Sequence, residues 1–135
     1  MSTVNESFPV KSTRRCEMIE ITSQIADIVS RSGIGNGTCT VYCGHTTAAV
    51  TVNENADPSV THDILITLGE LIPKNHRSYQ HAEGNSDAHV KSSLVGCSEH
   101  VLVKNGNLLL GTWQGIYFCE FDGPRNRNVS VQIRS

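Results

Sequence analysis

A dipeptide in the last third of the chain, Asn105-Gly106, constrains the fold more than any other feature of the sequence. It lies between two apolar runs, "HVLV" ending at Val103 and "LLLGTW" beginning at Leu108. A type I′ turn needs two residues that tolerate positive φ, and Asn-Gly meets this need well. The dipeptide therefore predicts a β-hairpin, and with it an antiparallel sheet.

The other patterns place helices among the strands. Further strands are expected in "CEMIEI", "TCTVYC", "AAVTVN", "GIYFCEF" and "NVSVQI", where β-branched and apolar residues recur. Helices are expected after an N-cap at Thr22 with Gly33 at the end, from Pro58 to Pro73 after an N-cap at Asp57, and from Ala88 to Val95 between Asp87 as N-cap and Gly96. This order predicts an α+β fold, in which mixed or antiparallel sheets pack with about three helices.

Composition favours one domain, residues 1–135, because 38% hydrophobic content in a chain of this length builds one core. The net charge of −2 and pI of about 6.3 give no general attraction to polyanions, so nucleic acid is a poor candidate partner. Apolar runs typical of a secretory signal or a membrane span are lacking, which predicts a cytoplasmic protein without membrane contact. The five cysteines are odd in number, and we expect mostly buried free thiols.

Three histidines have neighbours that suggest a binding site: His45 in "GHTT", His81 in "QHAEGN" and His89 in "DAHVK". Imidazoles from separate segments can converge on one zinc ion and leave a fourth position open. A single histidine is more often a surface or structural residue, so spacing alone leaves both interpretations open. A cysteine-only site is disfavoured, because Cys39 and Cys43 on one strand lie roughly 13 Å apart.

Acidic and polar residues around "HTTAAVTVNENADP" are further candidates. Glu54 is the best candidate for a general acid or base, if the strand before it starts and ends around one pocket with His45; a solvated turn carboxylate is the alternative. Thr46 and Thr47 offer hydroxyl groups to an anion, or serve as strand residues.

Two segments near the C-terminus add candidates for substrate binding. Of Arg125 and Arg127 we expect at most one to reach a given ligand, and arginine suits phosphate because its planar donors match two oxygens. Trp113 and Gln114 are either core residues or a flat wall with an amide that reads a substrate edge.

Taken together, "HTTAAVTVNENADP", "HAEGNSDAHVKSSLVG" and "NGNLLLGTWQGIYFCEFDGPR" resemble the YjbQ-like family, whose members carry the label secondary thiamine-phosphate synthase. The resemblance covers nearly the whole chain. It implies an α+β homotrimer with pockets near subunit boundaries. It also implies a divalent metal, zinc first, held by His45, His81 and His89, with Asn53 and Glu54 lining the pocket and Trp113 and Gln114 forming another wall.

The activity implied by the family label joins a pyrimidine pyrophosphate to a thiazole phosphate and releases pyrophosphate. Lys91, Arg127 and a divalent metal, with magnesium an option for this reaction, would offset the negative charge. We expect a metal-dependent enzyme on a small phosphorylated or heterocyclic metabolite, with the synthase reaction as a side activity. The alternatives are a zinc-dependent hydrolase, in which metal-bound water attacks and Glu54 transfers the proton, and a non-catalytic trimer that binds a metabolite.

Overall fold

A computed structural model describes residues 2–135 and has the predicted α+β architecture. The strands are β1 Thr3–Lys11, β2 Glu17–Glu20, β3 Gly37–Cys43, β4 Ala48–Glu54, β5 Ser98–Lys104, β6 Asn107–Leu108, β7 Gln114–Glu120 and β8 Asn126–Arg134. The helices are α1 Thr22–Ser32, α2 Pro58–Leu71 and α3 Ser86–Val95. The expected fold class is confirmed.

The strands form two sheets. The larger has the order β1-β8-β3-β5-β6, the smaller has the order β2-β7-β4, and every recorded pairing is antiparallel. Strand alternation directs one face of each sheet inward, as at Val129, Val131 and Ile133 of β8. Helix α1 adds Ile25 and Val29 to this core. The sheets and α1 therefore bury one main apolar core.

The predicted hairpin is present, but its second strand is short. Asn105 and Gly106 both have positive φ, 52° and 78°, as a type I′ turn requires. The run "LLLGTW" was expected to continue as a strand, yet β6 ends at Leu108 and Leu109 is exposed. The backbone turns back after Leu110, where Gln114 Oε1 accepts from Gly111 N. Apolar content alone was thus a wrong guide to strand length.

Strand β1 was not expected from the sequence. Only Val10 of its residues is buried, and Val4 and Phe8 on the same face are partly buried. Pro9 lies on the exposed face. Proline is tolerated because β1 is an edge strand of the larger sheet and has no neighbouring strand on its open side. A missing N–H on that side therefore costs no hydrogen bond between strands. An edge strand with one solvated face therefore left a weak signal.

Two of the three predicted N-caps need correction. Asp57 does cap α2, since its side chain accepts from Ser59 N at 2.9 Å. Thr22 instead is the first residue of α1, and its Oγ1 accepts from Ile116 N. Helix α3 begins at Ser86 after an N-cap position at Asn85, so Asp87 lies inside its first turn.

The Asp87 carboxylate forms a buried ion cluster that ties α3 to the segment before β2. It accepts from Arg15 Nη2 at 2.9 Å and from Lys91 Nζ at 3.0 Å. Burial by itself would raise the pKa of the Asp87 carboxyl, but the hydrogen bonds from Arg15 and Lys91 outweigh it and lower that pKa to about 2. Asp87 therefore stabilises the first turn of α3 through charge rather than by capping.

Helix α2 packs loosely on the rest of the chain. Every one of its side chains keeps some exposure, and Ile66 and Leu71 are exposed although both are large and apolar. None of the helices within residues 2–135 is long and apolar enough to cross a membrane. The five cysteines are free thiols, three of them buried, as expected.

Replacing Asp87 with Asn should lower the free energy of unfolding by about 3 kcal/mol or more at neutral pH, because two cations lose their buried counter-charge. The folded-state pKa lies below the ordinary value, so this contribution is complete above the ordinary pKa and is lost as the pH falls toward 2. Urea unfolding of both proteins between pH 7 and about pH 2 measures this difference.

The matched control is Arg31→Met, which removes an exposed ion pair with Glu6 and should change stability by less than about 1 kcal/mol. A difference between wild type and Asp87→Asn that stays constant down to about pH 2 would contradict the charge-based role of Asp87.

Candidate functional site

Four segments meet around one cavity of about 420 Å³, here called the polar cavity. They are the connection between β3 and β4, the loop before α3, α3 itself, and the chain from the end of β7 to the start of β8. The residues that bear on its chemistry are His45, Thr47, His81, His89, Arg125 and Arg127. All three histidines singled out in the sequence therefore line the same cavity.

His81 and His89 lie next to each other at the mouth of the polar cavity. Their ring centroids are 5.3 Å apart and their planes are nearly perpendicular. The loop before α3 carries His81, and the first turns of α3 carry His89, so the chain reversal at Gly84 brings them together. The carboxylate of Glu83 lies 3.9 Å from His81 Nε2.

His45 approaches from the opposite wall and is held as a neutral ring. Its Nε2 accepts a hydrogen bond from Asn128 N at 3.0 Å, which requires a free lone pair on that nitrogen. Burial, and then the nearby Arg127 guanidinium, lower the pKa of His45. In this neutral tautomer the proton resides on Nδ1.

Beneath the cavity, Arg127 is paired with a buried carboxylate. Glu120 accepts from Arg127 Nε at 2.9 Å and from Ser12 Oγ at 2.7 Å. Burial by itself would raise the pKa of Glu120, but the hydrogen bonds from Arg127, Asp122 N and Ser12 lower it. Arg127 also donates to Thr47 Oγ1 at 2.8 Å, so the Thr47 hydroxyl hydrogen points elsewhere and can donate into the cavity.

The second arginine of the cavity is paired as well. Arg125 Nη2 contacts Asp122 at 2.9 Å, and Asn85 Nδ2 donates to the same carboxylate at 2.8 Å. Both arginines line the polar cavity, which corrects the expectation that only one would face a given ligand. The physical reason is that residues two apart in an extended chain point to the same side.

Within residues 2–135, no three His, Cys, Asp or Glu side chains are arranged at metal-binding distances. The donor chemistry nevertheless suits zinc, because neutral imidazoles are typical zinc ligands. His81 and His89 are neighbouring imidazoles, whereas Nε2 of His45 is already hydrogen-bonded to the backbone N–H of Asn128.

Four predicted site residues lie away from the polar cavity, and we call Asn53, Glu54, Trp113 and Gln114 the distal cluster. Glu54 pairs with Gln114 at the far end of β4, roughly 20 Å along the strand from Ala48. Glu54 Oε2 accepts from Asp57 N, and Trp113 is 63% exposed. Within one chain, β4 therefore separates Glu54 from His45 and does not bring its two ends to one pocket.

The remaining two candidates differ in access. Lys91 is buried, donates to Asp87 and does not line the polar cavity. Thr46 is exposed at the cavity wall, and its carbonyl accepts from Ser92 Oγ at 2.6 Å.

Sequence reasoning missed the carboxylates that organise the arginines. Glu120 is fully buried and lies within the apolar run from Ile116 to Phe121. A charged residue inside such a run indicates a buried, paired charge, and this signal was available. Asn85 and Asp122 lie in loops, where polar residues are common, so no comparable signal marks them in the sequence.

The comparisons with known proteins agree over nearly the whole chain. The YjbQ family model, described as "UPF0047 protein YjbQ-like", matches residues 6–135. The chain is 51% identical to UPF0047 protein YugU of Bacillus subtilis, with 95% of this chain and 97% of that protein covered. It is 54% identical to a UPF0047 protein of Methanocaldococcus jannaschii, with 93% and 91% covered.

Solved structures show the same fold. A YjbQ/UPF0047 family protein from Clostridium acetobutylicum superposes with a TM-score of 0.94 at 50% identity, covering 96% of this chain and 99% of that one. A YbjQ-like protein from Sulfolobus solfataricus gives 0.93 at 35% identity, with 98% and 96% covered. The names of these relatives state a family and no reaction.

In metal-free protein, His45 should titrate below the ordinary value of 6.5, and Arg127→Gln should raise its pKa. The variant removes a positive neighbour and leaves the Glu120 carboxylate unpaired, and both changes favour the protonated ring. NMR shifts of the His45 ring protons measure the pKa, and amide spectra check that the variant is folded.

Lys104→Gln, at the end of β5, is the control and should leave the pKa of His45 unchanged. A His45 pKa that is the same in folded Arg127→Gln and in wild type would show that Arg127 does not control this ring.

Proposed function

The chain belongs to the YjbQ-like UPF0047 family, and on that premise we propose that it is a metal-dependent enzyme acting on a small phosphorylated metabolite in the polar cavity. One observation carries the proposal: three histidines from separate segments line one cavity together with two arginines. A metal ligand set next to guanidinium groups is suited to phosphate chemistry.

The proposed metal is zinc, held by His81, His89 and His45. Zinc–nitrogen bonds of about 2.0–2.1 Å at a tetrahedral angle place two ligating imidazole centroids about 5 Å apart. The observed 5.3 Å between His81 and His89 supports this pair as ligands. His45 completes the set when its ring releases Asn128 N, and its lowered pKa favours the neutral form that a metal requires.

The charge balance of the cavity explains why an anion there needs a metal. Arg127 is neutralised by Glu120, and Arg125 by Asp122. The arginines therefore contribute orientation more than net charge. A bound divalent cation supplies the positive charge, while the Thr47 hydroxyl and the exposed N–H groups of Arg125 donate to phosphate oxygens.

We assign thiamine-phosphate synthesis, with release of pyrophosphate, as a side activity of this site. The reaction needs cations near the departing pyrophosphate, and magnesium accompanies pyrophosphate in many enzymes of this kind. A dedicated pyrophosphate enzyme uses a dense aspartate cluster or a glycine-rich cradle, and the polar cavity offers arginines, threonines and histidines instead.

We further propose that the chain works as a homotrimer in which the distal cluster of one subunit approaches the polar cavity of another. Support comes from the exposed apolar side chains of α2 and from the exposure of Trp113, since a large exposed apolar surface marks an interaction site. In such an assembly Glu54 can act on a neighbouring subunit although it lies far from His45 in its own chain.

His89→Ala should abolish stoichiometric zinc binding, because it removes one of the two adjacent ligands, whereas His62→Ala on α2 should leave it unchanged. Calorimetric titration measures the stoichiometry and affinity of zinc binding, and then the affinity for pyrophosphate. Pyrophosphate should bind the zinc-loaded wild type at least tenfold more tightly than the chelated protein, and this gain should vanish in His89→Ala.

The amide signal of Asn128 should shift when zinc binds, because His45 releases it. Retention of full zinc stoichiometry in His89→Ala would remove His89 from the ligand set. Equal pyrophosphate affinity with and without metal would overturn the metal-dependent function.

Trp113 is the single tryptophan of the chain and tests the proposed assembly. Native mass spectrometry should show a trimer, and Co²⁺ bound at the histidines should quench Trp113 fluorescence of a neighbouring subunit. Ile66→Glu on α2 should dissociate the trimer and remove the quenching while zinc still binds; Glu70→Gln on the same helix is the control. A Co²⁺-loaded trimer with unquenched Trp113 would contradict the shared site.

A further inference from the structure

We propose that a second cavity, adjoining the polar cavity, binds the neutral organic part of the substrate and recognises N–H or O–H donors on it. This second cavity, the side chamber, has a volume of about 530 Å³. The inference rests on the proposed function and specifies its substrate class: a phosphate ester whose organic group is uncharged and rich in hydrogen-bond donors.

The two cavities share a wall. His45, Thr46 and His89 line both the polar cavity and the side chamber. A ligand whose phosphate lies beside the arginines would therefore extend past His45 and His89 into the side chamber. Two of the proposed metal ligands stand at this passage, so the metal would contact the bond region between the two parts of the ligand.

The side chamber differs from the polar cavity in charge. Besides the shared residues, its walls are formed by neutral residue types: Ala48, Ser92, Ser93, Gly96 and Cys97. The polar cavity in contrast carries Arg125, Arg127, Glu83 and Asp122. An ionised phosphate finds guanidinium and hydroxyl donors in the polar cavity, together with the charge of the proposed metal. The walls of the side chamber carry no charged group, so the phosphate and the organic group occupy opposite ends.

The hydroxyl groups of the side chamber are oriented as acceptors. Ser92 Oγ is 2.6 Å from Thr46 O and 3.0 Å from His89 O, and Ser93 Oγ donates to His89 O at 2.9 Å. A serine hydroxyl has a single hydrogen. Because this hydrogen is donated to a backbone carbonyl, the Oγ atoms of Ser92 and Ser93 can only accept hydrogen bonds from a ligand.

Such a lining discriminates between ligands. A group with N–H or O–H donors satisfies the serine lone pairs, whereas a carbonyl or carboxylate oxygen at the same place meets only acceptors. Amino-substituted heterocycles and hydroxylated carbon chains fit this requirement. At the two serines a free phosphate meets only acceptors, whereas the guanidinium donors lie in the polar cavity, so phosphate is directed there.

Cytidine monophosphate and uridine monophosphate test the inference, because they share the phosphate and ribose and differ in the base. At position 4 cytosine has an amino donor where uracil has a carbonyl acceptor, and at N3 cytosine has an acceptor where uracil has an N–H donor. Zinc-loaded wild type should bind the cytidine compound at least tenfold more tightly than inorganic phosphate. It should also prefer the cytidine over the uridine compound by about two- to tenfold, the value of one hydrogen bond.

Cys97 reports occupancy of the side chamber in the unaltered protein, because its thiol is exposed at the wall. The cytidine compound should slow alkylation of Cys97 by iodoacetamide, as followed by peptide mass spectrometry, and inorganic phosphate should not. This measurement needs no variant and is independent of any change in folding.

Two variants and a control complete the test. Cys97→Phe should fill the side chamber, lower affinity for the cytidine compound at least tenfold and leave affinity for inorganic phosphate unchanged. Leu94→Phe, at an exposed position on α3 that does not line the chamber, should change neither. Ser93→Ala should abolish the preference for cytidine over uridine.

The outcomes separate the inference from the proposed function. If inorganic phosphate binds in a metal-dependent way but the nucleotide gains no affinity and leaves Cys97 unprotected, the side chamber is not a subsite and the proposed function stands. Equal losses for phosphate and nucleotide in Cys97→Phe would likewise overturn the inference. If neither inorganic phosphate nor the nucleotide binds the zinc-loaded wild type, both the inference and the proposed function are overturned.

Discussion

The buried ion pair between Glu120 and Arg127 joins the two sheets at the end of the fold where the polar cavity lies. Glu120 is the last residue of β7 in the smaller sheet, and Arg127 is the second residue of β8 in the larger one. The same pair holds Ser12 after β1 and Thr47 before β4. A pair this well buried is stable only with all its hydrogen bonds made, so the four segments around the cavity are held in one arrangement.

This arrangement has a consequence for function. The pair positions the Thr47 hydroxyl but leaves little net positive charge in the cavity. Burial, and after it the Arg127 guanidinium, lowers the pKa of His45. Because both arginines are paired, such a site offers oriented hydrogen-bond donors to an anion but little net positive charge without an added cation. In the proposed function a bound metal would supply the missing positive charge, and in the further proposal the side chamber would select the organic part of the ligand.

The predictions agree with the structure where the interactions join residues that are near in sequence, and fail where they join distant ones. The turn at Asn105-Gly106, the cap at Asp57 and the fold class depend on neighbouring residues, and all were predicted correctly. The local pattern predicts a helix cap at Asp87, but its carboxylate forms an ion pair with Arg15, which lies far away in sequence. Strand β1 was missed because an edge strand buries too little apolar surface to show a pattern.

The sequence by itself determined the α+β class, the main strands and helices, the free thiols, the family and the three histidines worth attention. Tertiary structure alone decided that these histidines line one cavity, that Glu54 lies at the other end of β4, and that both arginines are already paired. The reason is that periodicity and turn chemistry act between near neighbours, whereas the partner of a buried charge is chosen by how distant segments pack.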